Sequence, residues 1–265
     1  MSQLRIAVLN AAHQDENTTR NFRRELDASL SEFDVTSGTV PDHFAFDGVV
    51  VTGSRSSVYW DDDWIATTAE WVDDAISRDI PHLGICWGHQ LLAHVLGGTV
   101  SDMGAYEVGY SDIEQTADSR LFDGISSEFS AFTSHSDEVA DLPPGASPLA
   151  ENHYSNHGFR KDRVFGVQFH PEYDTKTARD LVHRKELSDE RLESILGEIT
   201  QENYRAACPA KLVFDNYLEF VQEVREQEQA QTQMQATAIE TPSSVDTDAD
   251  ADIDADATTE VGCSD

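Results

Sequence analysis

Cys86 stands in the segment Gly84-Ile85-Cys86-Trp87-Gly88-His89-Gln90, with one glycine two residues before it and another two residues after. An apolar run, Pro81 to Ile85, leads into this segment. A helical pattern from Gly88 to Leu96 leads out of it and stops at Gly97-Gly98. A tight strand-to-helix turn of this kind projects its central residue outward, and side chains two positions away would collide with neighbouring backbone. A cysteine there is placed as a nucleophile, and the N-terminus of the following helix favours its thiolate. The Trp87 N–H is placed to meet a substrate oxyanion. A lone cysteine more often fills a small gap in a core, but the paired glycines and the strand-helix junction argue for the nucleophile.

Downstream, Val164 to Phe169 reads as a buried strand and runs into His170-Pro171-Glu172. Strand alternation would put His170 and Glu172 on one side, with Pro171 keeping the chain extended. Glu172 would then hold one ring nitrogen of His170 while the other exchanges protons with Cys86. Cysteine, histidine and glutamate in these roles suit covalent hydrolysis of an amide. The loop after Val51 reads Thr52-Gly53-Ser54-Arg55-Ser56-Ser57. Its Gly53 N–H is the candidate second oxyanion donor; a plain turn is the alternative.

These residues need a scaffold. Leu4 to Leu9 and Asp47 to Val51 read as buried strands. Asn17 to Phe33 reads as a helix, with Phe22, Leu26, Leu30 and Phe33 at spacings of three and four and Asn17 or Thr18 as its cap. Asp63 to Arg78 reads as another helix, with Ile65, Ala69, Val72 and Ile76 on one face. Alternating strands and helices predict an α/β fold: a mostly parallel sheet with helices on both faces. From Val100 the pattern changes, and Glu107–Ile113 and Phe129–Phe132 look like antiparallel additions. Helices are expected at Thr175–His183 and Val213–Glu226, with Lys185–Tyr204 a polar, helical surface segment. The expected organisation is one domain over 1–225, including a C-terminal helical segment 175–225. A low-complexity acidic tail, 226–265, is expected to be disordered.

Fifty acidic residues against 18 basic ones give a formal charge of −32, and only 11 of the acids lie from Glu226 onward. The acidity therefore belongs to the whole chain. It suggests a solvated surface that stays soluble at high salt, as in a halophilic source; a basic partner surface is the alternative. Nucleic-acid binding is disfavoured, because phosphates would be repelled. No apolar run reaches the ~18 residues of a membrane span, so no membrane association is expected. The first residues pass directly into a strand-like run without a signal-type segment, which predicts a cytoplasmic protein. Cys86, Cys208 and Cys263 are too few for a disulfide framework, and no CxxC pair is present, so neither metal nor cofactor is expected.

Gly84-Ile-Cys-X-Gly-X-Gln90 paired with His170-Pro-Glu172 resembles the triad-type, or class I, glutamine amidotransferases. The likeness covers Val49 to Glu172 and extends to residues 1–225. It implies a flavodoxin-like sheet and a glutaminase without a cofactor. Cys86 would attack the side-chain amide of glutamine, ammonia would leave, and water would hydrolyse the glutamyl thioester. His170 would be the general acid and base, Glu172 its orienting carboxylate, and Gln90 part of the glutamine pocket. Thr133-Ser-His-Ser-Asp-Glu-Val139 looks like a segment of the amidotransferase part of GMP synthetases, which adds His135 and Asp137 to the pocket. Glu107-Val-Gly109 resembles that group's Glu-X-Gly segment.

The loop at Gly53-Ser54 departs from the Gly-Gly-Pro form of dedicated synthetase subunits. With Ser57-Val58-Tyr59 it looks more like stand-alone amidotransferase-like proteins, some of which are γ-glutamyl peptidases. No Ser-Gly-Gly-X-Asp-Ser loop of an ATP-pyrophosphatase occurs, so a separate synthetase subunit is expected to accept the ammonia. Two other readings stand beside this one. One is a γ-glutamyl hydrolase or peptidase using the same three residues. The other is a catalytically silent binding protein, against which the presence of all three residues argues.

Overall fold

The computed structural model describes residues 3–240. In chain order its elements are β1 Arg5–Asn10, α1 Glu16–Glu25, β2 Ser29–Asp34, β3 Gly48–Val51, α2 Asp63–Ile76, β4 His82–Ile85, α3 Trp87–Val95, β5 Thr99–Gln115 and β6 Glu128–Asp141. There follow β7 Ser147–Glu151, β8 Asn156–Lys161, β9 Val164–Val167, α4 Thr175–Val182, α5 Asp189–Glu198, α6 Gln201–Ala207 and α7 Leu212–Glu240. The strands form one sheet in the order β2-β1-β3-β4-β9-β8-β7-β5-β6.

Pairing from β2 through β9 is parallel, and from β9 through β6 it is antiparallel. The sheet is thus mixed, and its parallel half ends on β4 and β9, the strands that lead to Cys86 and His170. Strand alternation divides the core into two faces. Ile6, Val8, Val50, Leu83 and Ile85 pack with Phe22 of α1 and with Phe214, Tyr217 and Val221 of α7. Ala7, Leu9, Val49 and Val51 pack against Trp71 and Val72 of α2 and Leu91 and Leu92 of α3. The continuous valines of β3 are buried because helices cover both faces. Tyr217 reaches through the first face, and its hydroxyl lies 2.9 Å from both the Val49 and Pro81 carbonyls.

Three expectations change. The predicted helix over 17–33 is a shorter α1, a break at Leu26, and the edge strand β2. Leu30 and Phe33 fit helical spacing, but the exposed backbone of β1 offers this segment a parallel partner, Ile6 to Leu30 and Leu9 to Phe33. The cap of α1 is Asp15, whose side chain accepts the Asn17 N–H. Finally, helix continues over 227–240, inside the tail expected to be disordered. Gln, Glu, Ala and Met dominate that stretch and all favour helix. The rest of the tail, 241–265, lies outside the described residues.

The chain divides into two units, Met1–Glu226 and Gln227–Asp265. The first holds the sheet and its covering helices; the described part of the second is helical. Among the described residues no helix is long and apolar enough to cross a membrane.

Candidate active site

Cys86 joins β4 to α3 with φ 53 and ψ −103, a conformation that side chains with a β-carbon strongly disfavour. The flanking glycines explain how the turn is held. A β-carbon on Gly84 would lie 2.4 Å from the Gly88 carbonyl, and one on Gly88 would lie 2.2 Å from Val51 O. The elbow is therefore pressed onto itself and onto β3, where no side chain fits. The Cys86 N–H donates to Val167 O at 2.8 Å, tying the elbow to the strand that leads to His170. Cys86 makes no side-chain cap on α3, so the first-turn N–H groups, beginning with Trp87, are left without a capping side chain.

His170 and Glu172 do not lie on a strand, as alternation had suggested. β9 ends at Val167, and the His170 carbonyl accepts the Tyr173 N–H at 3.3 Å, closing a turn with Pro171 second in it. The turn, not alternation, brings Glu172 Oε1 to 2.8 Å from His170 Nδ1. The His170 N–H is fixed on Phe132 O at 2.8 Å, and the Tyr173 ring stacks on the imidazole with centroids 4.2 Å apart. Burial opposes a charged imidazole here, but the charges of Glu172 and Cys86 and their hydrogen bonds prevail and push His170 up to about 10.

Gly53 lies against this pair. A β-carbon there would meet His170 Cε1 at 2.9 Å and Cys86 Cβ at 3.6 Å. The preceding Thr52 anchors the loop: its hydroxyl accepts the Ala11 N–H at 2.9 Å. Gly53, on the loop after β3, and Trp87, the first residue of α3, thus both adjoin Cys86, where two backbone donors can converge on an oxyanion.

A cavity of about 330 Å³ opens onto His170 and Gly53. Ala12 to Asp15, Gly53 to Arg55, Ser134, Glu172 and Tyr173 line it, with Leu181 of α4 and Arg184 and Lys185 after that helix. Gln90, His135 and Asp137 are not among its lining residues. They lie in a buried polar network. Gln90 Nε2 donates to Asp137 O and to Gln168 Oε1, both at 3.0 Å. His135 bonds Asp137 O through Nδ1 at 3.0 Å and Glu107 Oε2 through Nε2 at 2.8 Å. The Asp137 carboxylate accepts from Tyr59 Oη at 3.1 Å.

Glu107 also accepts from His157 at 3.2 Å and from Asn152 at 2.7 Å. Burial disfavours its charge, but hydrogen bonds from His135 and His157 hold its carboxyl well below the usual carboxylate range. Among the described residues, Glu107, His135 and His157 form a cluster of metal-ligating type. Their hydrogen bonds to one another already account for the arrangement. The network carries the β6 segment whose Ser134 carbonyl stands 3.8 Å from Cys86 Sγ.

Sequence spacing thus found the residues at the sulfur. It missed His13, Gln14, Asp15, Arg55, Arg184 and Lys185 of the cavity, as well as His157 and Asn152. No local motif marks these positions, since three distant segments meet only in the folded chain.

Residues 13–189 match the sequence model of the family described as glutamine amidotransferase class-I. The chain is 37% identical over 131 residues to the glutamine-hydrolysing GMP synthase of Thermomicrobium roseum, covering 49% of this chain and 24% of that protein. With the corresponding enzyme of Staphylococcus epidermidis it shares 30% identity over 185 residues, covering 68% and 32% of the two chains. It therefore spans only a quarter to a third of these curated relatives. A crystal structure of a glutamine amidotransferase from Thermotoga maritima superposes with a TM-score of 0.71 at 23% identity, covering 83% of this chain and 100% of that one. A glutamine amidotransferase from Methylobacillus flagellatus does so with a TM-score of 0.68 at 18% identity, covering 83% and 95%. These two likenesses concern the fold.

Proposed function

The chain belongs to the class I glutamine amidotransferase family, and on that premise we propose that it hydrolyses glutamine to glutamate and ammonia through a thioester on Cys86. The observation that carries this reading is the pairing of the strained Cys86 with His170, itself held at 2.8 Å by Glu172. The sulfur attacks the side-chain amide carbon, and the carbonyl electrons move onto oxygen. That oxyanion takes hydrogen bonds from the Gly53 and Trp87 N–H groups. His170 gives its proton to the leaving nitrogen, and ammonia departs. His170 then takes a proton from water, which attacks the thioester and releases glutamate and the sulfur.

The matched part of the GMP synthase relatives is a minor share of their length. We assign to this chain the ammonia-producing half of such a reaction, with a synthetase subunit as acceptor. The buried network of Gln90, His135 and Asp137 acts from behind the nucleophile, holding the Ser134 strand beside it. Cys86 and Cys208 are free thiols, which suits a reducing cytoplasm, and the charge of −32 suits high salt.

The test is ammonia release at high salt from glutamine and from γ-glutamyl dipeptides, with and without synthetase proteins copurified from the source cell. Glutamine is expected to be the better substrate, the partner to raise its turnover, and Cys86→Ala to be silent. Full partner-independent activity with γ-glutamyl peptides preferred would replace this reading by a γ-glutamyl hydrolase. Ammonia release surviving in Cys86→Ala would remove the mechanism.

A further inference from the structure

The chain carries 50 acidic and 18 basic side chains, and most of its described cations are consumed by neighbours. Arg20 and Arg24 bind Asp174, Arg23 binds Glu32, Arg120 binds Glu223, and Lys211 binds Glu25. Four described cationic side chains have neither an ion pair nor a hydrogen bond: those of Arg55, Lys161, Lys185 and Arg205. Two of these four, Arg55 and Lys185, line the cavity that opens onto His170.

The cavity's own acids do not neutralise them. Asp15 is held by Arg184 at 2.5 Å and caps α1, and Glu172 is held by His170. Lys185 Nζ lies 4.9 Å from the centroid of the Tyr106 ring, an uncharged neighbour. The neighbouring His13 has its pKa lowered, first by burial and then by Arg55 itself. Leaving two cations unpaired in a cavity that opens onto His170, in a chain with nearly three acids per base, points to an anion supplied from outside. Arginine's planar fork matches a carboxylate with two parallel hydrogen bonds.

We propose that Arg55 and Lys185 form a carboxylate-binding subsite at the entrance to the Cys86–His170 centre. The inference rests on the amide-hydrolysing reading above and says which end of the substrate is held. The carboxylate is the α-carboxylate of glutamine or the terminal carboxylate of a γ-glutamyl peptide. Either group would sit in the same cavity as the amide under attack. The cations also offset the repulsion that so acidic a chain exerts on an anionic substrate group.

The experiment measures ammonia release and γ-glutamyl cleavage by wild type, Arg55→Ala, Arg55→Lys and Lys185→Ala. Substrates are glutamine, glutamine α-amide, γ-glutamylglycine and γ-glutamylglycinamide. A charge-assisted hydrogen bond lost to a carboxylate corresponds to about a ten- to hundred-fold rise in KM. Arg55→Ala is expected to show that rise with the free carboxylate and none with the matching amide, kcat changing little. Arg55→Lys is expected to recover part of it. A rise with every substrate except glutamine α-amide names the α-carboxylate, which the two γ-glutamyl dipeptides share with glutamine; a rise confined to γ-glutamylglycine names the peptide terminus. KM values within twofold of wild type for every substrate would overturn the subsite.

A binding measurement separates this inference from the functional reading. Calorimetric titration of L-glutamine and its α-amide, and of γ-glutamylglycine and its glycinamide, into Cys86→Ala, with and without Arg55→Ala, needs no turnover. Ten-fold weaker binding of a free acid alone supports the subsite even if wild type releases no ammonia, an outcome that would sink the proposed reaction instead. Equal binding of acid and amide in both pairs would sink the subsite whatever the activity.

Discussion

Gly53 faces His170 so closely that a β-carbon on the glycine would stand 2.9 Å from the imidazole Cε1. The ring cannot retreat freely, because Tyr173 stacks on it and Glu172 holds Nδ1. Gly53→Ala should therefore move either the ring or the loop. We expect ammonia release to fall by about 100-fold, the typical cost of misplacing a reacting group by ~1 Å. The melting temperature should change little, since the loop is not part of the main core. Turnover within threefold of wild type would show that the loop yields without disturbing the site.

Cys86 holds a positive φ that only glycine adopts without strain. Glycine and alanine at this position should both be inactive, but they should differ in stability. Alanine normally stabilises a chain relative to glycine through unfolded-state entropy. Here the order should invert, with Cys86→Gly more stable than Cys86→Ala by ~1 kcal/mol. That corresponds to about 2–4 °C in a domain of this size. Thermal melts of the two variants check it, and the usual order would mean that the elbow is not strained.

His170 has a pKa raised to about 10, against the ordinary 6.5, because Glu172 and Cys86 overcome the effect of burial. A group whose folded pKa is raised binds its proton more tightly in the folded state. Its contribution to stability is therefore complete below about pH 6.5 and is lost as pH rises through about 10. Melting curves of wild type and His170→Gln should diverge at neutral pH and converge toward pH 10. In activity, His170→Ala should approach Cys86→Ala in severity, with Glu172→Ala milder, because an orienting group can be lost with residual turnover. Parallel melting curves across that range would refute the coupling.

Glu107 joins β5 to β6 and β8 through His135 and His157, with both imidazoles buried. Glu107→Ala removes the acceptor and leaves two histidines facing nothing. Breaking a buried pair in this way typically costs ~3–5 kcal/mol. Denaturant unfolding should show that loss, and ammonia release should fall with it, since Ser134 beside Cys86 belongs to the same strand as His135. A loss below ~1 kcal/mol would mean that water or a shifted side chain replaces the carboxylate.

Several elements could be read directly from the chain. The Gly84 and Gly88 spacing announced an elbow because the collisions it avoids are with residues a few positions away and with the adjacent strand. The valines of β3 announced burial on both faces. His170-Pro171-Glu172 was legible as a pair but not in its geometry. Proline suits both an extended strand and a turn, and the end of β9 at Val167 decided for the turn. Residues 26–33 carried helical spacing, yet pairing with β1 made a strand of Ser29–Asp34.

The sequence by itself therefore determined the elbow at Cys86, the pairing of His170 with Glu172 and the parallel half of the sheet, because each depends on short spacings and on burial of contiguous apolar runs. Only the tertiary structure decided the cavity and the polar network behind the sulfur. Ala12–Asp15, Gly53–Arg55 and Arg184–Lys185 meet because β1, β3 and the segment after α4 end at one edge of the fold. Glu107 and His135 meet through strand register, and His157 reaches the same carboxylate from β8. A charge left unpaired, or a carboxylate shared by two imidazoles, is a relation between distant residues, and local pattern carries no record of distance in space.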